Sequence, residues 1–154
     1  MTARTYAALC GAIYLTFGIA GFVPWLWHTP PADPTLSIRV FHASLLGVFV
    51  VNIITSLSHL VIGLWGAMAA NNRYSTLAFT RGGTVLFLLL GILGLIPAHV
   101  INNVYGTAPL YGNNIWLHLI TGAVGIFFSF RPGYNLTEVG VQEEMNPHMG
   151  SSNR

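Results

Sequence analysis

The stretch that decides the fold is Ser58-His59-Leu60-Val61-Ile62-Gly63-Leu64-Trp65-Gly66, because it returns as Leu117-His118-Leu119-Ile120-Thr121-Gly122-Ala123-Val124-Gly125. Each copy is apolar except for one imidazole and one hydroxyl. Each lies in an apolar run close to the ~20 residues that cross the hydrocarbon of a bilayer. A second pair of segments repeats in the same order. Gly18-Ile19-Ala20-Gly21-Phe22-Val23-Pro24 precedes the first copy, and Gly91-Ile92-Leu93-Gly94-Leu95-Ile96-Pro97 precedes the second. Two ordered matches read as a duplicated helical hairpin. Each hairpin crosses twice, so the halves keep one orientation and relate by an axis along the membrane normal.

Working outward, apolar spans are expected at 6–27, 52–70, 76–96 and 113–130. The fold class expected is all-α, an integral membrane four-helix bundle of two tandem repeated transmembrane hairpins within residues 1–133. A polar tail follows over 134–154 with Glu138, Glu143 and Glu144. After the first span, His28-Thr29-Pro30-Pro31-Ala32-Asp33-Pro34 cannot stay helical. Residues 36–51 are apolar but interrupted by Arg39 and His42, and are read as an interfacial or partly buried helix leading into the second span.

Composition supports lipid as the solvent. The chain is 53% hydrophobic and only 6% charged, against about a quarter charged in soluble domains. All six basic residues are Arg, against four acids, for a net charge of +2. With no basic patch among them, no nucleic-acid partner is expected. The single cysteine, Cys10, excludes an internal disulfide. Leu9 is too bulky for a lipoprotein cleavage site and the apolar run continues past Cys10, so the first span is read as a retained helix.

Orientation follows from the arginines. Arg4, Arg73, Arg131 and Arg154 fall on the side of the two ends, and Arg81, just inside the third span, can snorkel back to it. Only Arg39 falls opposite. The positive-inside rule then places both termini in the cytoplasm. The expected location is a bacterial inner or internal membrane, crossed several times.

Glycines spaced three apart mark every span: Gly18 and Gly21, Gly63 and Gly66, Gly91 and Gly94, Gly122 and Gly125. Such pairs share a helix face and let backbones approach closely, so they are assigned to helix packing. His59 and His118 are the imidazoles deep within spans, at equivalent positions of the repeat. Ionisable groups in a span face the bundle interior. Two facing imidazoles can ligate a haem iron, another tetrapyrrole metal or a bare metal ion. They can also join Asn52, Asn114 and Thr55 in a proton path, or simply hydrogen-bond across helices. Asn52 and Asn114 stand near the starts of the second and fourth spans, where an Asn caps backbone amides or contributes to such a ligand site. The chain has no phosphate-binding Gly loop, cysteine metal cluster, His-Glu-x-x-His or nucleophile elbow, and no carboxylate in its spans.

The chain resembles the bacterial four-helix membrane family catalogued as domain of unknown function 4383. The resemblance rests on Leu46-Gly47-Val48-Phe49-Val50-Val51-Asn52, on His59-Leu60-Val61-Ile62-Gly63, and on Trp116-Leu117-His118. It covers about residues 6–130. Where the family carries His-Asn ahead of the first histidine, this chain has Thr55-Ser56; where it carries Asp ahead of the second, this chain has Asn114. The resemblance implies the fold and no activity, and these substitutions make any shared polar site more neutral.

The expected function is that of a non-enzymatic membrane protein, an accessory or structural subunit whose partners are the bilayer and other membrane subunits. Two alternatives stay open: haem or other tetrapyrrole binding through His59 and His118, and small-solute transport or sensing.

Overall fold

The computed structural model describes residues 2–129; the expected tail at 134–154 and the final residue of the expected fourth span lie outside them. The described chain is mostly helical. Helix α1 (Ala3–Ala20) is started by a capping box in which the Thr2 hydroxyl accepts from the Thr5 amide. Helix α2 (Ile53–Ala69) begins at Asn52, whose Oδ1 accepts from the Thr55 amide at 3.0 Å. Helix α3 (Arg73–Leu95) begins at Asn72, which caps the Ser75 amide at 2.8 Å. A one-turn helix, α4 (His99–Asn102), and then α5 (Asn113–Ser129) complete the set.

Two of these helices, α1 and α3, are long and apolar enough to cross a membrane. At 1.5 Å per residue they reach about 27 and 35 Å, against a hydrocarbon core of about 30 Å. Helix α2 is a shorter apolar helix of 17 residues.

The expected first span, 6–27, is longer than the helix observed. Helix α1 stops at Ala20, Gly21 caps it, and a single 3-10 turn occupies Pro24–Leu26. Pro24 has no amide hydrogen to donate and bars Val23 from the helical region, so the helix cannot continue through it.

The expected helix at 36–51 is also corrected. That segment holds strands β2 (Ala43–Leu45) and β3 (Phe49–Val51), and β2 also pairs with β1 (Trp27–His28), giving an antiparallel sheet in the order β1-β2-β3. The register sets Trp27 opposite Leu45 and Leu45 opposite Phe49. Phe49-Val50-Val51 is a β-branched and aromatic run that suits a pleated surface. Gly47 supplies a positive φ of 71° in the connecting turn, beside Leu46 at 54°. Asn52 then needs extended backbone to cap α2, which stops that helix from growing backwards.

Helix α1 packs chiefly on α2, and α3 on α5. In both pairs the approach is set by glycine. A methyl added at Gly18 would meet Leu60 at 2.7 Å, and one at Gly91 would meet Leu119 at 2.6 Å. Added at Gly63 it would strike the Leu15 backbone, and at Gly122 it would lie 2.7 Å from Leu88. Gly66 faces Gly11, and Gly125 faces Thr84. Gly21 faces Ser56, and Gly94 faces Leu110 and Ile115. The contacts of one helix pair are thus matched in the other, turn by turn.

Polar side chains share the interior with an apolar core of Tyr6, Tyr14, Phe79, Phe87 and Phe128. Thr55, His59, Thr80, Thr84, Asn114 and His118 are buried, while Val61, Met68, Val85, Ile92, Ile120 and Phe127 are exposed.

Candidate functional site

Two polar groupings stand out, one inside the helices and one in the loops above them. The inner one is built on His59 and His118, each only 3% exposed. Helices α2 and α5 bring the rings to 6.2 Å between centroids, tilted by 52°. Tyr14 of α1 stands against both: its ring meets His59 edge-on at 5.3 Å, and its hydroxyl lies 3.3 Å from Nδ1 of His118 and 3.4 Å from Oγ1 of Thr121. Phe87 stacks on Tyr14 at 4.8 Å and lies parallel to His118 at 6.2 Å. Nδ1 of His59 is buried and has no hydrogen-bond partner among the described residues; the same holds for Oγ of Ser56 and Oδ1 of Asn114.

Tyr14 was not singled out from the sequence. The available signal was a polar aromatic one helical turn past Cys10 and two past Tyr6, on the same face of the span. A tetrapyrrole held between the imidazoles would require a flat opening there, and the rings of Tyr14 and Phe87 occupy the neighbourhood. Among the described residues no three His, Cys, Asp or Glu side chains converge as a metal-ligand set.

The two asparagines expected at the same site each donate to backbone carbonyls. Nδ2 of Asn52 donates to the carbonyls of Ile38 at 2.9 Å and Thr107 at 2.6 Å, so one residue caps α2 and joins two loops. Asn114 is not a cap. It is the second residue of α5, and its Nδ2 donates to the carbonyls of Val50 at 2.7 Å and Pro109 at 3.0 Å.

The outer grouping lies where the loop after β1 meets the loop around α4. Oδ1 of buried Asp33 accepts from the Thr35 amide at 2.9 Å and hydroxyl at 2.6 Å. Asn103 donates to Thr35 Oγ1 and accepts from the Gly106 amide. The Gly106 carbonyl accepts from the amides of Ser37 and Ile38. A run of positive φ, Val104 at 49°, Tyr105 at 56° and Gly106 at 79°, turns the second loop into this contact.

Burial works to raise the Asp33 carboxyl, but the Thr35 hydroxyl and amide, with Tyr111 and Asn103, outweigh it and hold the group below its ordinary value. Burial, reinforced by the charge of Arg39, lowers His42, and the Asp33 charge opposes this only in part. Burial and the Asp33 charge raise the Tyr111 phenol. Sequence reasoning named Asp33, Arg39 and His42 singly but missed their convergence with Thr35, Asn103 and Tyr111, which arises only through long-range loop pairing.

Hydrophobic grooves flank the inner grouping. One, of about 460 Å³, runs between α1 and α5 past Ile13, Tyr14, Trp116 and Ile120. Another, of about 490 Å³, runs between α2 and α3 past Leu57, Val61, Leu86 and Leu90.

The fold and site therefore define a mostly helical protein with two helices able to span a membrane and a buried polar centre. The chain belongs to the family described as Domain of unknown function (DUF4383), which it matches over residues 4–131. No curated protein and no solved structure matches it.

Proposed function

We propose that this chain is a four-span integral membrane protein of a bacterial inner membrane. In this reading it is built of two repeated hairpins with both ends cytoplasmic, and acts as a non-enzymatic accessory or structural subunit of a membrane complex. The observation that carries the reading is the exposed apolar face of the helices: Val61 and Ile120, on equivalent helices, are 68% and 61% exposed, while the imidazoles of His59 and His118 are buried. In water that arrangement leaves a large apolar surface uncovered. In lipid the same faces lie against acyl chains, while the polar groups stay between the helices.

The matched glycine contacts of the two helix pairs support the duplication. The close glycine-mediated helix packing supports the subunit reading.

Topology is tested with single cysteines at positions 71 and 105 in a Cys10→Ala background. Position 71 lies in the exposed α2–α3 turn, and Tyr105 is exposed at the opposite end. A membrane-impermeant maleimide applied to intact cells should label position 105 and spare position 71 until the cells are opened. Labelling of both, or recovery of the protein in the soluble fraction, would refute the topology. For the subunit role, extraction in mild detergent should yield a particle larger than one chain, with the same partner in repeated preparations. A lone monomer would count against it.

A further inference from the structure

We infer that the hairpin of β2 and β3 is sunk into the leaflet farthest from the two chain ends, with its tip, Leu46-Gly47-Val48, among lipid acyl chains. The inference rests on the membrane-spanning reading above. It starts from length. Helices α1 and α2 hold 18 and 17 residues, so they rise about 27 and 25 Å, short of the ~30 Å hydrocarbon layer before any tilt. At the end away from the sheet, α2 gives way to Asn71, Asn72 and Arg73, side chains that seek water. The missing apolar thickness therefore falls at the other end, where β1, β2 and β3 lie.

The turns of that sheet carry side chains suited to lipid. Left-handed backbone in a turn washed by water is the place of glycine, asparagine or aspartate. Here Phe41 at φ 55° and Leu46 at φ 54° hold two such positions. Both side chains are exposed, Leu46 by 58%, and so are Val48 and Trp25. Large apolar groups at such turns are a liability in water, whereas acyl chains remove their surface from it at about 25 cal/mol per Å².

The hairpin lies beside the helix ends and not above them. The Phe49 ring meets Phe17, one turn inside the end of α1, at 4.8 Å. The Val48 carbonyl accepts from Nδ2 of Asn113, the first residue of α5. Val48 and Phe49 line the groove between α1 and α5 together with Ile13, Trp116 and Ile120, the exposed apolar side chains of those helices. Tip and helix faces thus form one continuous apolar surface.

Backbone at membrane depth is tolerated where protein supplies its hydrogen bonds. All three amides of the tip are paired: Leu46 donates to the Leu26 carbonyl at 2.8 Å, Gly47 to Ser44 at 3.2 Å and Val48 to Leu45 at 3.0 Å. The Val48 and Val50 carbonyls accept from the side chains of Asn113 at 3.1 Å and Asn114 at 2.7 Å. The Val40 carbonyl accepts from the Ile53 amide at 2.9 Å. Amides of α5 and α2 take the place that water holds at an ordinary loop.

The test uses the full chain in vesicles of phosphatidylethanolamine and phosphatidylglycerol, with flotation confirming insertion. A nitroxide is attached to a single cysteine in the Cys10→Ala background, at the tip in Leu46→Cys or Val48→Cys, and for comparison at positions 71 and 105. Oxygen concentrates in hydrocarbon and a charged nickel chelate stays in water, so their relaxation of each label reads its surroundings. At 46 and 48 oxygen should act several-fold more strongly than the chelate, and at 71 and 105 the order should reverse. Melting midpoints close to that of the unlabelled chain establish folding, and either tip site serves where the other is disturbed. Tip labels as open to the chelate as position 105 place the hairpin in water and overturn the inference, while protein that floats leaves the membrane reading standing. Tip labels closed to both reagents place the hairpin against protein and overturn it as well. Protein that fails to float removes the membrane reading and the insertion with it.

Discussion

At the scale of single residues, glycine does two different things in this chain, and a methyl group tells them apart. At Gly63 and Gly122 the added carbon meets a neighbouring helix at Leu15 and Leu88. Overpacking of that kind costs about 1–3 kcal/mol, more than the ~1 kcal/mol of helix propensity gained over glycine. Gly63→Ala and Gly122→Ala should therefore lower the thermal midpoint in detergent. At Gly82 the nearest atom is the ring edge of Trp65 at 3.4 Å, ordinary contact, so Gly82→Ala should leave the midpoint unchanged or raise it. Equal effects at all three positions would refute the close-approach account. Gly63 and Gly122 were legible in the sequence because spacing of three is a local property of one helix. Tyr14 was not, because its meaning lies in two histidines more than forty positions away.

The titratable residues of the loops give a prediction with a definite sign. Asp33 is held below its ordinary value, so the unfolded chain binds the proton more readily. Its contribution is complete above about pH 3.9 and is lost as pH falls through that value toward the folded pKa. His42 is also lowered, which means the folded state prefers the neutral ring. Its contribution is present above about pH 6.5 and declines as pH falls below that. A melting series from pH 8 to pH 3 should thus fall in two stages. His42→Gln should diminish the upper stage, which the buried His59 and His118 share, and Asp33→Asn the lower; a series that is flat in the wild type would refute both assignments.

At the scale of elements, the outer loops show where sequence reading fails. The helix start at Asn52 was readable as a cap and coincides with the start of the expected span, whereas the cap at Asn72 was not singled out. The 36–51 segment was not readable as strands. An apolar run of this length fits a buried helix or a buried strand by periodicity alone. What decided it was the pairing of Leu45 with Trp27, eighteen residues earlier. Asn52 now emerges as the joint of this region, since it caps α2 and holds Ile38 and Thr107. Asn52→Asp keeps the capping oxygen and removes both donated bonds; it should destabilise by about 1–3 kcal/mol, the penalty of leaving buried carbonyls unpaired. Asn52→Ala should be worse by roughly the ~1 kcal/mol of a lost cap. Val104 offers the opposite test. A β-branched residue at φ 49° is strained, and Val104→Asn should stabilise the chain by up to about 1 kcal/mol. A loss of stability there would mean that packing of the valine outweighs its backbone.

At the scale of the whole molecule, charge placed on the outer face separates lipid from water as the solvent. Val61 points outward from α2. In an aqueous globule Val61→Arg would be nearly neutral, whereas at mid-bilayer an arginine costs about 2.5–3.5 kcal/mol of insertion free energy. The variant should accumulate poorly in the membrane fraction, while Tyr105→Arg, at an exposed loop position, should not. Normal membrane yield of Val61→Arg would argue that α2 does not face lipid.

The short turn at Asn71 and Asn72 has a consequence for how the gene can be cut. Each tightest helix partnership is confined to one side of it, α1 with α2 and α3 with α5. Two fragments made from separate start codons, divided between those asparagines, each carry a self-matched pair. The bonds from Asn52 to Thr107, Asn103 to Thr35 and Asn114 to Val50 then act as the clasp between them. Co-produced fragments should find one another in the membrane and co-purify, and a divided gene should serve nearly as well as an intact one.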